Sequence, residues 1–110
     1  MVIDHSLCTP FQRAVYEAVQ RIPTGKVSTY AAVAAAIGCR SPRAVGQALK
    51  VNPFAPEVPC HRVITSALTL GGFQGSTGDE ACQRKRLLLA QEGVDFNTDG
   101  TLKEPSRLLL

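Results

Sequence analysis

Ser28-Thr29-Tyr30-Ala31-Ala32-Val33-Ala34-Ala35-Ala36-Ile37-Gly38-Cys39-Arg40-Ser41-Pro42-Arg43-Ala44-Val45-Gly46-Gln47-Ala48-Leu49-Lys50 is the stretch on which the fold turns. Alanine carries the smallest cost in a helix, and this stretch is dense in it. Ser28 is placed to cap a helix over Thr29 to Ile37, and Gly38 suits the left-handed residue that ends one. Ser41-Pro42 then opens a second helix that runs to Lys50. Two such helices, joined only by Gly38-Cys39-Arg40, predict a helix-turn-helix. Their small side chains leave a slim profile, suited both to packing the helices on each other and to close approach by a partner.

Upstream, Thr9 can cap a helix, Pro10 suits its first position and Gln12 completes a capping-box pattern. Phe11, Ala14, Val15, Ala18, Val19 and Ile22 recur at helical spacing and predict one apolar face, which Pro23-Thr24-Gly25-Lys26 ends. Downstream, Asn52-Pro53 closes the second helix of the pair. Prolines at positions 53, 56 and 59 mark a loop, and Val63-Ile64-Thr65 is β-prone. A glycine-rich run from Gly71 to Gly78 leads into a last helix that begins near Asp79-Glu80 and ends at Gly93. Val94-Asp95-Phe96 and Thr101-Leu102-Lys103 flank Asp99-Gly100 as a small hairpin.

The chain has 110 residues, of which 45% are apolar and 19% charged, as expected for one folded domain with a single core. No apolar run approaches the ~20 residues that span a bilayer, so no membrane association is expected. The first residues lack a basic flank followed by an apolar stretch, which predicts a soluble intracellular protein, in a prokaryotic cytoplasm or a eukaryotic nucleus. The net charge is only +3, but its distribution is uneven. From Ala18 to Pro56 there is no acidic residue, while Arg21, Lys26, Arg40, Arg43 and Lys50 all fall there. A positive segment of this size attracts phosphates, or forms a solvated basic face.

Cysteines stand at 8, 39, 60 and 82, with no Cys-x-x-Cys pair for zinc or redox chemistry, and reduced thiols are expected. His5 and Cys8 alone do not make a metal site, and no metal is expected. A cysteine becomes a nucleophile when its thiolate is stabilised and reachable. Cys60, between a proline and His61-Arg62, has the most suggestive setting of the four. Adjacent side chains of an extended backbone point to opposite faces, so contact between Cys60 and His61 requires a turn or a bridging water. A base at His61 also requires a group to hold its tautomer, for which Glu92 is a candidate.

Taken together these segments resemble the C-terminal domain of the O6-alkylguanine-DNA alkyltransferases. Pro59-Cys60-His61-Arg62-Val63-Ile64 is similar to that family's acceptor motif. Thr9-Pro10-Phe11-Gln12, Ile22-Pro23-x-Gly25-Lys26-Val27-Ser28-x-Tyr30, Arg43-Ala44-Val45-Gly46 and Asn52-Pro53 precede it in the family's order. Gly72-Phe73 and Leu88-Leu89-Ala90-x-Glu92-Gly93 follow. The likeness covers residues 9 to 96, which leaves 1–8 as an N-terminal extension and 97–110 as a C-terminal tail. It implies a mostly α fold with a small β element: a compact single domain with a winged-helix-like helix-turn-helix.

The resemblance also implies roles. Cys60 would accept the alkyl group, His61 backed by Glu92 would draw off the thiol proton through water, and Asn52 would brace the segment carrying the helix-turn-helix. Tyr30, Arg43, Ala44, Gln47 and Lys50 would meet DNA, with Arg43 filling the gap left by an extruded base through the minor groove. Tyr30, Gly72, Phe73 and Gln74 would line the base pocket. Substrate would be double-stranded DNA carrying O6-alkylguanine, met by a monomer that reacts once and uses no cofactor. A second group within the resemblance, the alkyltransferase-like proteins, binds such lesions without removing the alkyl group and hands them to other repair proteins; it shares the short architecture but generally replaces the acceptor cysteine. One departure concerns Ser66-Ala67-Leu68-Thr69, where the family usually places a turn glycine. Ala67 and Leu68 tolerate positive φ poorly, which predicts a different loop path there.

Overall fold

A computed structural model describes residues 9–51, 58–70 and 79–109, with side chains of the last segment from residue 82 onward. Asn52, Gly72, Phe73 and Gln74 lie outside the described residues. Helix α1 spans Pro10–Gln20 and opens on the expected reciprocal cap. The Gln12 amide N–H donates to Thr9 Oγ1 at 3.1 Å, and the Thr9 N–H donates to Gln12 Oε1 at 2.9 Å. Both orphan donors of the first turn are thereby satisfied by side chains three residues apart. Val15, Val19 and Ile22 are buried as the periodicity predicts, whereas Phe11 at the helix start stays exposed. Tyr16, which the apolar spacing omits, is fully buried because its hydroxyl donates to the Ala48 carbonyl at 2.7 Å.

The helix-turn-helix forms from α2, Tyr30–Ala36, and α3, Pro42–Lys50. Ser41 caps α3 through its hydroxyl, which accepts the Ala44 N–H at 3.1 Å, with Pro42 in the first turn. The start of α2 corrects the sequence expectation. Its cap is Thr29, not Ser28, and Thr29 Oγ1 accepts the Ala32 N–H at 3.0 Å. Ser28 and Thr29 are instead extended as strand β1, which pairs in parallel with β2, Val63–Ile64. That long-range ladder claims the two residues before the helix can.

Val15, Val19, Val33, Ala34, Val45, Ala48 and Leu49 from the three helices close a first core over Val58, Cys60 and Val63. The alanines of α2 and α3 let these helices come together without bulky spacers. A second core gathers Val27, Ile64, Leu89, Val94 and Leu102 below the parallel pair. It is completed by α4, Asp79–Gln91, after which Gly93 takes φ +84°, the left-handed conformation that glycine enters at little cost.

The expected hairpin is present as an antiparallel bridge between Phe96 and Leu102, closed around Asn97–Thr101. Residues 101–109 are part of the packed structure. Leu102 is 4% exposed, and Val27 exchanges backbone hydrogen bonds with Arg107 and Leu109 at 2.9 and 2.7 Å. Leu68 adopts φ +64°, the conformation that a residue with a side chain tolerates poorly. Its backbone is held on both sides, donating to the Thr65 carbonyl at 2.9 Å and accepting from Leu102 N–H at 2.8 Å. Thr65 and Thr69 close the turn side chain to side chain at 2.7 Å.

Candidate active site and nucleic-acid interface

Cys60, His61 and Arg62 form a short 3-10 turn between the loop and β2. The Arg62 N–H closes it on the Pro59 carbonyl at 2.9 Å. This turn supplies what an extended backbone does not: Cys60 and His61 are both buried, at 7% and 5% exposure, on the inner side of the domain. Burial of a thiol favours its neutral form, so ionisation here requires charged or hydrogen-bonding neighbours.

Those neighbours come from the turn itself and from Glu92, the residue after α4. Glu92 Oε2 lies 2.9 Å from His61 Nε2. Arg62 grips the same carboxylate side-on, Nε to Oε1 at 2.8 Å and Nη2 to Oε2 at 2.9 Å. The remaining guanidinium donors go to the Ile22 carbonyl at 2.8 Å and Thr24 Oγ1 at 3.0 Å. Arg62 therefore ties the end of α1 to the end of α4 through one planar group. The Gly25 N–H faces Glu92 Oε1 at 3.5 Å. Gly25 has φ +86°, so glycine is favoured there by conformation, and a Cβ would sit close to Arg107 Nη1 at 3.3 Å and the Glu92 carbonyl at 3.4 Å.

Burial of Glu92 favours its neutral form, but the hydrogen bonds and charges of Arg62 and His61 outweigh this and bring its pKa down to about 2. The carboxylate is thus ionised at all ordinary pH. An ionised acceptor facing Nε2 selects the tautomer with hydrogen on Nε2 and leaves Nδ1 as the basic nitrogen. Glu92 is the partner that the sequence offered for His61, and the fold brings the two together.

Lys85 was not singled out by sequence reasoning, yet it is fully buried. Its Nζ donates to the Leu70 carbonyl and sits 5.7 Å from the centroid of the Tyr30 ring. Burial lowers its pKa to about 8, against the opposing pull of the Cys60 and Cys82 thiols. The Tyr30 hydroxyl is raised by burial first and by Cys60 second. Tyr30, Cys60 and Lys85 therefore form one electrostatic group. A signal was available: Lys85 stands on α4 at the spacing of two helical turns before Glu92, the residue that follows the helix. Among the described residues no three His, Cys, Asp or Glu side chains converge as a metal site.

The nucleic-acid candidates lie elsewhere on the surface. Arg43, Gln47 and Lys50 are exposed along one face of α3, with Arg40 exposed in the preceding turn. Ala44 and Gly46 are half-buried, and Gly46 lies against Tyr30, whose Cε1 would be 4.0 Å from an added Cβ. Tyr30 thus links the exposed helix to the buried cysteine. Lys26, part of the basic segment, is turned away and donates to the Ser106 carbonyl at 2.9 Å.

A family model described as the DNA-binding domain of 6-O-methylguanine DNA methyltransferase matches residues 10–94. The methylated-DNA–protein-cysteine methyltransferase of Methanothermobacter thermautotrophicus is 45% identical over 95 residues, covering 86% of this chain and 51% of that protein. The constitutive Bacillus subtilis methyltransferase is 51% identical over 69 residues, 62% of this chain and 42% of that one. The chain spans about half the length of the curated relatives it matches. Among solved structures, Mycobacterium tuberculosis OGT in complex with DNA superposes with a TM-score of 0.70 at 42% identity, over 77% of this chain and 50% of that one. S. pombe Atl1, in complex with damaged DNA containing O6-carboxymethylguanine, superposes with a TM-score of 0.72 at 35% identity, over 100% of this chain and 99% of that one. The sequence motifs, the fold and these matches agree: the chain belongs to the family of the 6-O-methylguanine DNA methyltransferase DNA-binding domain.

Proposed function

We propose that this domain binds duplex DNA through α3, extrudes an O6-alkylguanine and accepts its alkyl group irreversibly on Cys60. The observation that carries the reading is the acceptor turn itself: a buried cysteine beside a histidine whose Nε2 is held at 2.9 Å by an ionised glutamate. In this reading His61 Nδ1 takes the thiol proton, through a water. The thiolate attacks the alkyl carbon, the carbon–oxygen bond breaks, and its electron pair passes to the guanine, which takes up a proton. A sulfur–carbon bond replaces the carbon–oxygen bond, and the thioether persists. A base stacked in a duplex is out of reach of a buried thiol, so extrusion comes first, at about a few kcal/mol. Arg43 fills the vacated stack from the minor groove, Tyr30 meets the extruded base, and Ala44, Gln47 and Lys50 follow the backbone. Asn52, proposed to brace the segment that carries the helix-turn-helix, and Gly72, Phe73 and Gln74, proposed to line the base pocket, lie outside the described residues.

A second reading, recognition of the lesion without transfer and recruitment of another repair protein, is favoured by the end-to-end likeness to S. pombe Atl1. Intact-protein mass after incubation with O6-methylguanine duplex separates the two. Gain of one methyl group in the wild-type chain, absent in Cys60→Ser, supports transfer. Unchanged mass despite tight lesion binding overturns transfer and leaves the second reading.

A further inference from the structure

We infer that Arg107 is a positioning residue for the Glu92–His61 pair: its guanidinium holds the turn at Gly25 against the end of α4 and so keeps the Glu92 carboxylate on the imidazole. This rests on the transfer reading above for its purpose but not for its test. Glu92 stands one residue past the end of α4, where helices fray, and Gly93 next to it turns the chain with φ +84°. A carboxylate held 2.9 Å from His61 Nε2 at such a place draws support from other elements. Arg62 Nε donates to Glu92 Oε1 at 2.8 Å, and the Gly25 N–H faces the same oxygen at 3.5 Å.

Arg107 reaches both turns at once. Its Nη1 donates to the Gly25 carbonyl at 3.3 Å. Nη2 lies 3.5 Å from where a Cβ at Gly93 would stand, so two glycines leave room for the guanidinium to lie against both turns. The Glu92 carbonyl is 3.4 Å from the corresponding position at Gly25, which brings the turns together under one planar group. Arg107 is itself fixed. Its carbonyl accepts the Val27 N–H at 2.9 Å, the Leu109 N–H donates to the Val27 carbonyl at 2.7 Å, and Lys26 Nζ donates to the Ser106 carbonyl at 2.9 Å. Nε lies 3.7 Å from the Glu104 carboxylate, which leaves the terminal nitrogens to the glycine turns. Arg107 also lies beyond residue 94, where the match to the family model ends. The C-terminal tail thereby acts on the acceptor turn through Arg107, Glu92 and His61.

The test follows the His61 imidazole without DNA. In a His5→Gln background His61 is the sole histidine, and exchange of its Nε2 proton with water is measured by nitrogen-edited NMR at one fixed pH. Arg107→Met is expected to speed that exchange about tenfold, the scale of one lost hydrogen bond from a charged donor, while Arg107→Lys, which keeps a cationic donor for the Gly25 carbonyl, stays within about threefold of the parent. Lys26→Met removes another side-chain tie to the same tail, at Ser106, and is expected to leave the exchange unchanged. Circular dichroism confirms that each variant is folded before comparison, and Arg107→Gln takes the place of Arg107→Met should that variant not fold. An unchanged exchange rate in the folded variant overturns the inference. So does an equal rise in Lys26→Met or Arg107→Lys, since general loosening rather than the hold on Gly25 would then set the imidazole. A wild-type chain that transfers no methyl group while its His61 proton responds to Arg107 overturns the transfer reading and supports this one. A chain that transfers, with no such response, overturns this one alone.

Discussion

Replacing Glu92 by glutamine removes one charge from a buried network while keeping its shape, and the structure sets the size of the effect. The Glu92 carboxyl falls from the usual 4.5 to about 2 in the folded domain, and its side chain is only 14% exposed, so solvent screens the interaction little. At about 1.4 kcal/mol per pH unit, the ionised carboxylate contributes about 3 kcal/mol to stability at pH 7. Because the folded value lies below the unfolded one, that contribution is fully present above 4.5 and is lost as pH falls through about 2. Most of that contribution is the interaction with Arg62, 16% exposed, which glutamine leaves without its ionic partner. Urea unfolding of wild type and Glu92→Gln should show a gap of about 3 kcal/mol at pH 7, an equal gap at pH 6, and under about 1 kcal/mol near pH 2.5. A gap that is the same at pH 7 and pH 2.5, or below about 1 kcal/mol throughout, would refute the electrostatic account of this site.

Leu102→Ala should cost about 2–5 kcal/mol, read from denaturant unfolding, because this 4%-exposed side chain completes the second core; a loss under about 1 kcal/mol would mean that residues 101–109 do not belong to that core. Gly46→Ala should stabilise α3 by about 0.5–1 kcal/mol in a thermal melt, since the added methyl only reaches ordinary contact with Tyr30 at 4.0 Å. A fall in DNA affinity in that variant would report how closely α3 approaches the duplex. Arg43→Ala should weaken base extrusion, followed by 2-aminopurine fluorescence beside the lesion, more than it weakens binding to undamaged duplex; equal losses would reduce Arg43 to a phosphate contact. Lys50→Ala should lower the salt dependence of DNA binding by about one in the log–log slope and leave extrusion intact.

What the sequence made legible was local. The caps of α1 and α3 depend on side chains three residues from the groups that they satisfy, so Thr9, Gln12 and Ser41 could be read directly. The start of α2 could not, because Ser28 and Thr29 are decided by pairing with Val63 and Ile64, far along the chain. Leu68 takes a conformation that local energetics disfavour, held there by a hydrogen bond from Leu102. The site divides the same way. Cys60 and His61 announce themselves by adjacency and by their motif, whereas Glu92 was a candidate that only the fold could bring to His61. Lys85 was passed over because lysine is ordinarily solvated, and the Tyr30 ring and the Leu70 carbonyl are partners that the sequence does not announce.

The parallel register that sets Val27 beside Leu108, and Ser28 beside Val63, also orders the events of folding. The three N-terminal helices meet through short chain separations and can assemble early, whereas these pairs must first close long loops at an entropic cost. The three-helix part that carries α3 is therefore expected to form before the pairing of Val27 with Leu108 and of Ser28 with Val63 is complete. Opening should run in reverse, so amide exchange is expected to be faster at Val27, Leu108 and Leu109 than at the buried centres of α1 and α3. A transiently loosened molecule would keep its three-helix core while the chain end parts from Val27.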